Sequence, residues 1–153
     1  SPSPITAPGS AVTAAPPTDD QIKSILDQVD QRVRDEDLDS AHEILRKARR
    51  QYPDNAKLAF TAGRVCFWKL WWTEGIEHFR DAIRLEPAYR TDPDLNKAVL
   101  RGFLTTPDVD DRIESFMIDD LRDAIVPYLE ETAKNHPNAG IRARAKSELR
   151  RLH

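Results

Sequence analysis

The chain has 153 residues, 39% hydrophobic and 32% charged, with 23 Lys and Arg against 26 Asp and Glu for a net charge of −3. That is enough apolar material for a self-sufficient core, and too even a charge balance for bulk electrostatic capture of nucleic acid. The single cysteine, Cys66, excludes a disulfide framework, and no apolar run approaches the roughly 20 residues that span a bilayer.

Residues 1–19 are rich in Pro, Ser and Ala, with five of the eleven prolines in the first seventeen positions. Such a stretch cannot sustain a helix or bury much apolar area, so it is expected to be an extended, disordered linker. It starts at Ser1 and carries no charged-then-apolar leader, which suggests a module cut from a longer protein. A reducing, cytoplasmic setting suits the lone Cys66, which lies between Val65 and Phe67 and reads as a buried, inert thiol.

From Ile22 onward the apolar residues recur at three and four rather than at two, so the expected fold is all-α, with about eight helices. Two segments, DLDSAHEILRKARRQYPDN (37–55) and WWTEGIEHFRDAIRLEPAY (71–89), then align at a fixed offset of 34. Leu38 matches Trp72, Ala41 matches Gly75, Leu45 matches Phe79, Ala48 matches Ala82 and Pro53 matches Pro87. A small residue lets two helices approach, a large one four positions on fills the space beside it, and the proline stops the helix.

This pattern resembles the tetratricopeptide repeat, a helix-turn-helix unit that stacks into a superhelix. The resemblance covers about residues 20–90, as two repeats at 22–55 and 56–89. Gly63, Gly75, Phe79, Ala82 and Pro87 stand at family positions, while Ala59, Cys66 and, in the first repeat, Val29 depart from the pattern. In that family the first helix of each repeat lines a concave groove that holds peptides. Carried onto this chain, the resemblance implies partner-binding positions at Lys57, Phe60, Arg64, Phe67 and Trp68, and at Lys23, Leu26, Asp30, Val33 and Arg34. Trp72 is expected in the core, and Trp71 exposed in the turn as a further partner-binding position. The asparagines with which some members clamp a C-terminal carboxylate are missing at the matching positions. Whether a partner or the protein's own C-terminal helices cover Phe67 and Trp68 stays open at this point.

Beyond Tyr89 the period fades. TDPDLNKAVLRGFL predicts a helix capped by Thr91 or Asp92, with Pro93 in its first turn. PDVDDRIESFMIDDL predicts another, led by acidic residues that suit a helix N-terminus. Residues 122–152 then read as a helix pair joined at His136 to Gly140. Ala124, Ile125, Pro127, Leu129, Ile141, Arg142, Ala145 and Leu149 give this pair a pattern similar to a HEAT-type repeat. Residues 91–153 are therefore expected to be a HEAT-like helical extension packed on the repeats, since an isolated repeat cannot bury its apolar face.

Signals for chemistry are poor. His42, His78, His136 and His153 include no His-Glu-x-x-His pair, Cys66 has no Cys-x-x-Cys partner, and there is no glycine-rich phosphate loop. His42 and His78 are expected on helix surfaces. Asp110-Asp111 and Asp119-Asp120 read as helix-terminal, solvated charges rather than paired catalytic carboxylates. The expectation is no enzyme, no metal and no cofactor. Nine acidic residues against two basic ones between Asp108 and Glu131, and five basic residues against Glu148 in the last helix, could steer a partner or simply face solvent. Nucleic-acid binding by that helix would lack interleaved aromatics.

These observations point to a protein-protein interaction module, a scaffold or docking part of a larger signalling or assembly protein. Its arrangement also resembles regions that follow the catalytic domain in some bacterial Ser/Thr kinases. The alternative is a structural or oligomerising module whose groove is filled by its own helices.

Overall fold

The computed structural model describes residues 18–153, so most of the expected linker lies outside the described residues. Its far end is corrected: Thr18 already caps a helix that contains Asp19. The described residues are all-helical, without strands, in eight α-helices. None is long and apolar enough to cross a membrane.

The first helix, α1 (Asp19–Arg34), opens with a capping box in which Thr18 accepts from the Gln21 amide and Gln21 reaches back to the Thr18 amide. Three residues later α2 (Leu38–Gln51) folds back on it, capped by Asp37. Next come α3 (Ala56–Trp68), capped by Asn55, and α4 (Trp72–Leu85), whose cap position is Trp71 without a side-chain bond. The starts and ends of α2 and α4 differ by 34, as do the ends of α1 and α3. The turns repeat too. Glu36 (φ 59°) and Leu70 (φ 63°) both take the left-handed conformation. The amide of Asp37 bonds the carbonyl of Arg32 just as that of Trp71 bonds the carbonyl of Cys66.

A 3₁₀ turn (Pro87–Thr91) leads into α5 (Pro93–Thr105), where Asp92, not Thr91, provides the cap by accepting from the Leu95 amide. The expected helix over 107–121 is corrected. It is cut into a short α6 (Asp111–Phe116), a π turn (Met117–Leu121) and a 3₁₀ turn (Arg122–Ile125) beginning at the left-handed Arg122. α7 (Val126–Asn135) and α8 (Ala139–Leu152) form the closing pair. Pro127 falls in the first turn of α7, where its missing N–H costs nothing, while Ala124 and Ile125 precede the helix.

Two apolar clusters share α3. Leu58, Ala62 and Val65 join Val29, Ala41, Leu45 and Ala48 in the first. Ala59, Phe60 and Phe67 join Phe79, Leu95, Phe103, Phe116 and the inward residues of α7 and α8 in the second. With eight buried residues in thirteen, α3 is the central helix.

Candidate protein-interaction groove

The residues carried over from the repeat pattern are brought together only in part. A cavity of about 720 Å³ lies between α1 and α3, and Lys23, Asp30, Lys57, Phe60, Arg64 and Trp68 all line it. Leu26 and Val33 stand in its wall as well. Every lining residue comes from α1, α3 or the α3 cap Asn55, so no residue of the C-terminal extension closes it.

Arg64 is the centre of this site. Positions 60, 64 and 68 succeed one another by one helical turn on one face of α3. The Arg64 guanidinium accordingly sits 5.6 Å from the Phe60 ring centroid and 5.1 Å from that of Trp68, a double cation–π contact. Phe60 is itself fixed by stacking on Tyr89 at 4.8 Å. Among the described residues neither Arg64 nor Lys57 has a carboxylate within ion-pair distance, whereas Lys23 on the opposite wall is paired with Asp27 at 3.0 Å. The α1 wall is acidic, through Asp19, Asp27 and Asp30, and the α3 wall is basic, through Lys57 and Arg64.

Three expected positions fall elsewhere. Phe67 is corrected: it is 3% exposed and packs on Trp72 at 5.2 Å and Phe79 at 5.1 Å. A side chain at Gly75 would collide with its ring and one at Gly102 would crowd it, so α4 and α5 clasp it from two sides. The C-terminal extension thus covers Phe67 and leaves Trp68 half-buried beside the groove. Arg34 is exposed at the end of α1, where it donates to Gln31, outside the cavity lining. Trp71 is exposed in the turn, as is Leu70, and neither lines the cavity. Its ring meets His42 edge-on at 4.9 Å, with the Lys69 ammonium 3.6 Å from its centroid.

The histidine expectation is also corrected. His42 and His78 are half-buried, and both reach one carboxylate. His42 Nε2 lies 3.1 Å from both oxygens of Glu74, and His78 Nε2 lies 3.7 Å from one of them. Cys66 is fully buried beside them, its thiol pushed up to about 12 by burial and by the Glu74 charge. The repeat register could have revealed this convergence. Ala41 and Gly75 are equivalent at an offset of 34, so the next residue, His42, and the preceding one, Glu74, turn toward each other.

The acidic doublets do cap and pair. Asp110 accepts from the amides of Arg112 and Ile113, and Asp120 binds Arg80 at 2.8 Å. The basic face of α8 is largely spent on internal bonds. Arg142 donates to the carbonyl of His136, Arg144 to those of Phe103 and Thr106, and Arg151 to Glu114. Comparison with protein-family models, with curated proteins and with solved structures returned no match.

Proposed function

We propose that the protein is a non-enzymatic, tetratricopeptide-like docking module that holds a segment of a partner protein in the α1–α3 groove. One observation carries the reading: Arg64, without a carboxylate of its own, is held on two aromatic faces at the wall of an open cavity. A partner segment with an acidic side chain beside an apolar one fits that wall. The acid pairs with Arg64 and Lys57 while the apolar group lies against Phe60 and Trp68. Preorganisation of Arg64 by its ring neighbours lowers the ordering cost of that pairing. In this reading the module belongs to a larger cytoplasmic signalling or assembly protein, of the kind in which helical repeats accompany a kinase domain.

The test is fluorescence polarisation with labelled peptides that pair Glu or Asp with Leu or Phe at varied spacing. Arg64→Glu and Trp68→Ala should each weaken the best binder at least tenfold, and Arg150→Glu on α8 should leave it unchanged. Equal binding by all three variants would remove the groove from the account. A second reading, self-association, is favoured by the adjacent exposed Leu70 and Trp71. Sedimentation of the Trp71→Ser variant separates it from peptide docking, which needs no dimer.

A further inference from the structure

We propose that His42, Cys66 and Glu74 form a metal site of the zinc class that clips α2, α3 and α4 together. One histidine nitrogen, the cysteine sulfur and a carboxylate oxygen converge from three helices, with all ligand atoms within 4.8 Å of one another. The chain has only one cysteine and four histidines, and the cysteine and two of the histidines gather around a single carboxylate. Sulfur, imidazole and carboxylate together are a borderline donor set, which suits zinc better than a hard cation. Tetrahedral bonds of the usual lengths place donor atoms roughly 3.5 Å apart. Glu74, whose side chain is 39% exposed, has the freedom to close the remaining gap.

The site is sheltered on most sides. The Cys66 sulfur is in the interior, the His42 side chain is 15% exposed, and the Trp71 ring stands edge-on to His42. His78, on the other side of Glu74, is held toward its neutral form by burial and by the charge of Arg49. The protons balance as follows. Cys66 gives its thiol proton to solvent by way of the nearby, partly exposed Glu74 carboxylate. His42 ligates through Nε2 and carries its ring proton on Nδ1. The thiol proton is therefore released on metal binding, and a water fills the fourth position. The site lies apart from the α1–α3 groove and does not depend on its occupancy.

Titration of the purified full chain with Co(II) and Zn(II) tests this. The expected result is one equivalent bound, a thiolate-to-metal charge-transfer band with Co(II), and proton release in buffers of differing ionisation heat. Cys66→Ser should abolish the band, and His42→Ala and Glu74→Gln should each weaken binding at least tenfold. The doubly substituted His136→Ala, His153→Ala chain should bind as the parent does. Glu74→Gln changes a partly exposed residue, so it reports even if Cys66→Ser folds poorly. Absence of a stoichiometric complex, or binding that follows His136 and His153 instead, would overturn the site.

Discussion

The hairpins α1–α2 and α3–α4 have one backbone and two fillings. Their turns superimpose in register, down to a left-handed residue at Glu36 in one and at Leu70 in the other. Their interiors trade volume between partners. In the second hairpin Phe79 lies where any side chain at Gly63 would strike it, a built Cβ coming within 2.4 Å of the ring. At the same two positions, 34 residues earlier, the first hairpin has Val29 and Leu45, both in one cluster. Phe67 likewise presses on Gly75, with a built Cβ 2.6 Å away, and its counterparts are Val33 and Ala41. The two hairpins therefore match as a sum over pairs, not residue by residue, because interiors are close-packed and a methylene added on one helix must be removed from its neighbour. The aromatic filling belongs to the hairpin that carries a second layer: the rings of Phe67 and Phe79 reach Gly102 and Phe116.

The strongest way to break this equivalence is to give the second hairpin the first one's residue. Gly63→Val should destabilise by about 3 kcal/mol or more, as overpacking without space to relax. Phe79→Leu in the same chain should restore part of that loss, measured by urea unfolding. Strict additivity of the two substitutions would refute the volume exchange.

The third pair, α7–α8, sharpens the contrast by burying a carboxyl that the sequence places among the exposed charges of α8. Glu148 is 2% exposed, one of its oxygens has no partner, and burial together with the neighbouring Glu114 carboxylate raises it to about 8 from an ordinary 4.5. Glu114 is in turn bound by Arg151 at 2.6 Å, while Asp111 and Arg144 face the same cleft. The folded state keeps the Glu148 proton longer than the unfolded chain does. Stability must therefore fall as pH rises from 4.5 toward about 8, and level off above it. The slope is at most about 1.4 kcal/mol per pH unit. Glu148→Gln should flatten the profile of Tm against pH. A parent profile that is already flat there would contradict a buried neutral carboxyl.

Smaller effects concern the shared turn. Leu70 is 57% exposed and left-handed, so Leu70→Gly should stabilise by up to about 1 kcal/mol, the strain of a Cβ in that region less the entropy of glycine. Glu36→Gly should do the same, and a loss at either position would show that the turns are not equivalent. Smallest of all, Lys23→Gln removes an exposed pair with Asp27 and should move the unfolding midpoint by less than about 0.5 kcal/mol. A larger shift would mean that the α1 wall of the groove is electrostatically tuned.

Much of this was legible beforehand. Small and large residues at a 34-residue offset marked the four N-terminal helices, and Asp92 with Pro93 marked the start of α5. The break after Phe116 was not, because Ile113, Phe116, Met117, Leu121 and Ile125 keep helical spacing straight through it and all are buried. A wide turn followed by a tight one preserves the apolar stripe while the backbone leaves the α-helix. Within the candidate groove, the face of α3 bearing Phe60, Arg64 and Trp68 follows from spacing alone. Phe67 was misplaced because its burial depends on Gly102, a residue beyond the repeat whose approach no local pattern announces.

Helix α3 serves both clusters with alternate faces, and that has a consequence for how the molecule can come apart. Neither half has a complete interior without it, so no seam exists along which the N-terminal helices could swing away from the C-terminal ones and remain folded. Among the described residues the shared keystone leaves no place for a hinge. Loosening at either end is therefore expected to reach the other, with unfolding in one cooperative step.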